Sequence, residues 1–293
     1  MISVVCVYND ETVLNNYLLK SLKNQTADHE IVLINNIEGN WRSAAQALNY
    51  GGKLAKSDYI MFCHQDIEFT PKDWLEIIES YIVTLPNLGI AGAAGKRKEG
   101  SLSNSEHGYP PIPAGNIQIS TVESVQTIDE CLLIIPKFMF NLFQFDERVC
   151  NDWHLYGVDY CLTAKKMGYM VYVLPIKIYH KSAGQSLSKS YFDSLTKMQK
   201  KWKNDFNIIY TTIGDWKTTI PLFMQPEFQF LCINYAIDRY ILYLSPTLWK
   251  FIKILYLFII GFLSKMGELI GKNKIGFKPY LNQIKLLKSV KTG

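Results

Sequence analysis

The sequence predicts an α/β fold, a mainly parallel sheet flanked by helices, with a helical C-terminal extension. Three observations carry that expectation. Over the first 66 residues, short apolar runs alternate with segments of helical period, the order that right-handed crossovers and a parallel sheet require. Each apolar run ends in polar residues: Tyr8-Asn9-Asp10, Asn35-Asn36 and His64-Gln65-Asp66. Beyond about residue 215 the text becomes apolar and basic, a change of composition that sets residues 216–293 apart from residues 1–215.

The first strand is Ile2 to Tyr8, a Val-rich run suited to a strand covered on both faces. Residues 11–24 carry Val13, Leu14, Tyr17, Leu18 and Leu22 at helical spacing, and Glu30 to Asn35 is the second strand. Residues 41–55 are Ala-rich and helical in period, although Gly51-Gly52 weakens them as a helix. Tyr59 to Cys63 is the third strand. Pro71, suited to a first helical turn, opens a helix running to about Thr84. Gly89 to Gly95 reads as a strand, and residues 96–116, rich in Gly and Pro, as one long loop. Gln126 to Ile135 returns to strand, Asp159 to Met167 is helical, Tyr169 to Leu174 is a strand, and His180 to Gly184 is a polar loop. In open α/β sheets ligands bind at the carboxyl ends of the strands, so the shared polar edge is the expected site.

Composition narrows the function classes. The chain has 293 residues, 48% of them hydrophobic and 13% aromatic, with no low-complexity tract or fixed repeat, so a substantial core is expected. Its six cysteines form no CxxC pair and several sit in apolar runs, which favours buried reduced thiols over a disulfide framework. Without a basic leader and a long apolar core at its start, the catalytic part is expected in the cytoplasm.

Four stretches in order resemble a known family. "ISVVCVYND", "SLKNQTADHEIVLINN", "HQDIEFTPKDWL" and "DWHLYGVDYCLTAKKMGYMVYVLPIKIYHKSAG" are similar to family 2 glycosyltransferases of the GT-A fold, a Rossmann-like mixed sheet, closest to the branch whose metal motif reads His-Gln-Asp. The likeness covers roughly residues 1–190. It implies an inverting, metal-dependent transfer of a sugar from a nucleotide-sugar donor to an acceptor hydroxyl. Such a reaction needs a hard cation on the leaving diphosphate and a carboxylate to take the acceptor proton.

The resemblance assigns candidates for each task. Asp66 matches the metal-holding Asp, against a simple turn cap before Thr70-Pro71; His64 stands where the family's first acidic residue stands, and either contacts the nucleotide or is a satisfied, half-buried histidine. His180, followed by Ser182, matches a histidine that completes metal or diphosphate binding. Mn²⁺ or Mg²⁺ is implied, and Mn²⁺ better tolerates mixed nitrogen and oxygen ligands. For the base, Asp159 is the best match and Asp152 the second; Gly157 occupies a position often acidic in the family. Helix capping would explain either aspartate without catalysis. Trp153, His154 and Tyr156 suit an acceptor subsite, or core packing. Val7, Tyr8, Asn9, Asn35 and Asn36 are expected at the nucleotide, or as plain turn residues. Asp129 and Glu130 lie on the segment that carries donor-sugar contacts, with a solvated strand edge as the competing account.

The tail suggests a second partner. From Lys250 to Gly293 nine lysines stand against Glu268 alone, a net of +8, which leaves −3 of the overall +5 to the rest. The uninterrupted apolar run Ile254 to Leu263 is too short for the roughly 20 residues of a spanning helix. A helix lying in the membrane interface, its lysines toward anionic headgroups, is the expectation; packing on the core or a partner is the alternative. The protein would then be peripheral on the inner face of the cell membrane, with a glycan or lipid-linked acceptor in cell-surface polysaccharide synthesis. Nucleic acid is not an expected partner, because the segment lacks Arg and interleaves its lysines with Leu, Ile and Phe. Two rival functions compete with this one. A catalytically inactive nucleotide- or glycan-binding scaffold would fit His64 and Gly157, whereas a nucleotidyltransferase would need a Gly-rich basic loop that "VYNDETVLNN" is not.

Overall fold

The computed structural model describes residues 1–182, 189–229 and 231. A compact unit spans Met1–Glu227. Near its end Trp216 is fully buried and the Gln225 side chain exchanges hydrogen bonds with the Lys217 backbone. The expected interfacial helix around Leu248 to Leu263 and the basic tail lie outside the described residues. Among the described residues no helix is long and apolar enough to cross a membrane.

The chain begins with strand β1 (Ile2–Tyr8), helix α1 (Glu11–Leu14), a π-helical turn (Asn15–Leu19) and α2 (Lys20–Leu22). Strand β2 (His29–Asn35), helix α3 (Ala44–Leu54) and strand β3 (Tyr59–Cys63) follow. The three strands pair in parallel with β1 in the middle, so their polar ends do share one edge. β1 is apolar except for Ser3, whose hydroxyl donates to Glu30, because most of the strand is covered on both faces. β2 lies at the sheet edge and leaves Ile31 and Leu33 exposed.

Gly51 and Gly52, which weaken α3 by propensity, are required by its packing. A Cβ on Gly51 would stand 2.5 Å from Val5 Cγ1, and one on Gly52 would stand 2.4 Å from the Phe140 ring. The two glycines let α3 settle closely onto β1 and onto the aromatic cluster of Phe62, Phe140 and Phe145.

Next come β4 (Ile67–Glu68), helix α4 (Trp74–Ile82) and β5 (Leu88–Gly92). Residues 96–116 are not one loop. They belong to short strands β6 (Ala94–Arg97), β7 (Gly100–Ser103), β8 (Glu106–His107) and β9 (Ile112–Pro113). Strands of two to four residues are too short for a period of two to show, and their pairing partners are set elsewhere in the chain. After β10 (Glu123–Ser124), the run expected as a single strand divides into β11 (Thr127–Ile128) and β12 (Leu132–Pro136), parted by Asp129, Glu130 and Cys131. Helices α5 (Lys137–Leu142) and α6 (Tyr156–Lys166) precede β13 (Met170–Val173) and β14 (Tyr179–His180), and α7 (Lys189–Trp202) leads to the hairpin β15 (Ile208–Tyr210) and β16 (Asp215–Lys217).

The main sheet has the order β10-β13-β5-β12-β3-β1-β2. β12 runs antiparallel between β3 and β5, which makes the sheet mixed. A small sheet of order β4-β14-β8-β9 sits next in sequence to the polar end of β3 and brings β14 to it. All five described cysteines (6, 63, 131, 150 and 161) are buried free thiols, as expected.

Helix propensity alone would make Gly52→Leu stabilising by about 1 kcal/mol. The Phe140 contact reverses the sign: urea unfolding should show a loss of about 1–3 kcal/mol with an unchanged slope.

Candidate active site

Residues His64-Gln65-Asp66 form the turn between β3 and β4, and each side chain has a separate task. Gln65 Oε1 accepts from the Asn9 and Asp10 amides at 3.0 and 3.1 Å, and its Nε2 donates to Asn9 Oδ1 at 2.7 Å. It ties the ends of β1 and β3 together. Asp10 caps α1 through the Val13 amide, and the Asn36 amide donates to the Tyr8 carbonyl at 2.8 Å. These bonds hold the three strand ends as the floor of a cleft of about 510 Å³, walled by Val7, Tyr8, Asn36, His64, Trp153 and Tyr156. Asn9 and Asp66 also line it, whereas Asn35 spends its side-chain carbonyl on the Ile37 amide at 2.8 Å.

Antiparallel pairing of β14 with β4 sets His180 opposite Ile67 and so beside Asp66. His180 Nε2 lies 3.2 Å from Asp66 Oδ1 and 3.3 Å from His64 Nδ1. One ligand atom from each of the three side chains falls within 4.8 Å of the others. The second Asp66 oxygen accepts the Ser182 amide at 3.1 Å, and the Tyr156 hydroxyl lies 3.4 Å from His64 Nε2.

The electrostatics of this cluster suit a cation. Burial would raise Asp66, but the hydrogen bond and charge of His180 with the charge of His64 hold it at about 2. Burial and then the charge of His180 press His64 down to about 4, so its imidazole is neutral near pH 7, with a lone pair to give. His180 is raised, the Asp66 carboxylate outweighing burial. Two imidazole nitrogens and a carboxylate oxygen are a donor set that fits a divalent metal such as Mn²⁺.

A second cavity of about 120 Å³ shares His64 with the first and is also lined by His180, Asp129, Glu130, His154, Leu155 and Thr212. Asp129 has both carboxylate oxygens committed, to the Cys131 amide at 3.1 Å and to the Thr212 hydroxyl at 2.8 Å. Burial alone would raise it; the Thr212 hydroxyl, the Cys131 amide and the charge of His180 lower it instead. Glu130 accepts the Gly157 amide at 2.9 Å across the start of α6, and burial pushes its carboxyl up to about 8. Burial also lowers His154, against the pull of Asp152.

A profile of the glycosyltransferase-like family matches residues 3–204. The chain belongs to that family. It shares the GT-A fold with several solved structures. One is residues 1–349 of S. aureus TarS in complex with UDP-GlcNAc, at 16% identity and a TM-score of 0.50, covering 70% of this chain and 67% of that one. Another is GalNAc-T7 with UDP, GalNAc and Mn²⁺, at 12% identity and 0.52, covering 70% and 48%. A third is the Pyrobaculum calidifontis mannosyltransferase PcManGT with GDP-Man and Mn²⁺, at 13% identity and 0.50, covering 96% and 82%. A curated relative from Fuscovulum blasticum, "ATP synthase subunits region ORF 6", is 26% identical over 166 aligned residues, the match covering 52% of this chain and 62% of that one.

Not every residue expected at the site lines one of the two cavities. Asp159 is 2% exposed; Trp202 Nε1 donates to one oxygen at 2.8 Å and Lys201 Nζ to the other at 2.7 Å. Burial raises it, with Lys201 opposing. It anchors α7 to α6 and lines neither cavity. Asp152 is half-buried and is also absent from both walls; its carbonyl accepts the Ala44 amide at 3.2 Å. Trp153 and Tyr156 line the larger cleft and His154 the smaller. Sequence reasoning did not single out Gln65 or Thr212. Gln65 sits inside the motif and could have been noticed as a strap; Thr212 has no local signal, since its partner is 83 residues away.

The Asp66 carboxyl, lowered from an ordinary value of about 3.9, contributes stability above that value and loses it as pH falls toward about 2. In metal-free protein, urea titrations should therefore show the stability advantage over Asp66→Asn shrinking below about pH 4.

Proposed function

We propose that this chain is an inverting, family 2-type glycosyltransferase that moves a sugar from a nucleoside-diphosphate sugar to a hydroxyl of a glycan or lipid-linked acceptor. The observation that carries this reading is the convergence of His64, Asp66 and His180, the first two of which line a cleft large enough for a nucleotide. Solved proteins of the same fold bind UDP-GlcNAc, or GDP-Man with Mn²⁺, which supports the substrate class.

The nucleotide would lie along the ends of β1 and β2, with Val7, Tyr8, Asn9 and Asn36 at the base and ribose. Trp153, which lines the same cleft, would offer an aromatic face to a sugar ring. His64, Asp66 and His180 would hold Mn²⁺ or Mg²⁺. When bound, such a cation neutralises charge on the departing diphosphate. Tyr156 steadies the His64 ring, and the Ser182 amide fixes the Asp66 carboxylate. Asp129, pinned by Thr212 and Cys131, lines the smaller cavity as a fixed acceptor for sugar hydroxyls.

The reading extends to the tail. Nine lysines on an apolar segment suit an anionic membrane surface, and a lipid-linked acceptor would account for catalysis there. The setting would be the cytoplasmic face of the cell membrane, in surface polysaccharide synthesis.

Nucleoside diphosphate release from a panel of UDP- and GDP-sugars with Mn²⁺ should fall at least about 100-fold in Asp66→Ala, the loss of several kcal/mol of charge stabilisation. Turnover equal to wild type would remove the metal assignment. A chain that binds UDP and Mn²⁺ in a calorimeter yet turns over no donor would instead be a scaffold. For the tail, truncation near residue 240 should abolish sedimentation with anionic liposomes, and undiminished sedimentation would count against membrane docking.

A further inference from the structure

We propose that Glu130 is the general base of the transfer, acting from the loop between β11 and β12 across the start of α6. This rests on the transferase reading above. The reaction needs a carboxylate within reach of an acceptor hydroxyl and close to the cation site. Asp66 belongs to that site. Asp159 is sealed between Trp202 and Lys201, and Asp152 lines neither cavity. Asp129 has both oxygens bonded. Among the described acidic residues lining the small cavity, Glu130 alone keeps a carboxylate whose bonded partners are main-chain amides of one helix start.

Its position has a physical cause. Gly157 has no side chain, and a Cβ there would stand 3.0 Å from Glu130 Cγ. The glutamate fills the space that a residue-157 side chain would take. Gly157, with the Leu155 and Val158 amides, then receives the carboxylate at the positive end of an eleven-residue helix. Two opposing influences act on the group. Burial strengthens it as a base, while the helix start keeps its anionic form accessible. His64 and His180 share the cavity wall, so a hydroxyl seated beside Glu130 is also beside the cation ligands.

The step balances without a further reagent. The acceptor oxygen bonds to the anomeric carbon as the bond from that carbon to the diphosphate oxygen breaks. The electron pair leaves with the nucleoside diphosphate. The hydroxyl proton passes to Glu130 and from there to solvent.

Glu130→Gln keeps the size of the side chain and an oxygen to accept the Gly157 amide, so the fold should be retained, as thermal unfolding would verify. Isothermal titration with UDP and Mn²⁺ should give a Kd within about twofold of wild type. Hydrolysis of the best donor from the UDP- and GDP-sugar panel, with water as acceptor, should fall by about 10²–10⁴-fold. The paired variant Glu130→Gly with Gly157→Asp returns a carboxylate to the same space and should recover at least about tenfold over Glu130→Gln. A merely structural role would not give that recovery. Retained hydrolysis in Glu130→Gln overturns the assignment, as does a parallel loss of UDP binding, which would make Glu130 a donor contact. Loss of hydrolysis in His154→Ala with retention in Glu130→Gln would move the base to the imidazole. Wild-type protein that binds UDP but hydrolyses no donor overturns the transferase reading itself, and the base with it.

Discussion

The pairing of β14 with β4 is the contact on which the site depends. It places His180 beside Asp66 and His64, from which it is separated by 114 and 116 residues of chain. Two strands of two residues would be worth little alone. They hold because Asp66 is also engaged on its main chain, its carbonyl accepting the Lys181 amide at 3.0 Å, and because the Trp74 indole donates to the Lys177 carbonyl just upstream. Without this small sheet the polar end of β3 would be a turn; with it, three ligating groups converge.

The burial of that convergence explains its electrostatics. A half-buried carboxylate would ordinarily be raised and a half-buried histidine lowered. Here Asp66 and His180 each shift the other way because each faces the opposite charge, while His64 is driven neutral by its burial and then by the charge of His180. One imidazole is thereby left as a neutral ligand and one carboxylate as an anion, the mixture a divalent cation takes up at neutral pH. Tyr156, whose hydroxyl reaches both His64 and the Glu130 carbonyl, joins this cluster to the smaller cavity.

Glycine is the second structural device. At 51 and 52 it brings α3 down onto the sheet, and at 157 it gives its space to Glu130. In both places the missing side chain is replaced by one from far along the chain. The close approach matters more than any freedom of the backbone.

Much of this was legible in the residues themselves. The Val-rich β1, the alternation through β3 and the polar ends at Asn9, Asn36 and Asp66 predict the parallel half of the sheet and its ligand edge, because buried strands and helical faces write local periods. The resemblance of four stretches to glycosyltransferases predicted the family to which the chain belongs. Three features needed the folded chain. The short strands within residues 96–116 have no period long enough to read. Asp159 and Glu130 look alike in sequence, but Trp202 and Lys201 close over the first while Gly157 opens a place for the second. Sequence by itself determined which residue types stand at the strand ends, since local periodicity and turn chemistry are written in neighbours. Only tertiary structure decided which carboxylates face a cavity, because burial and charge pairing are settled by partners distant in the chain.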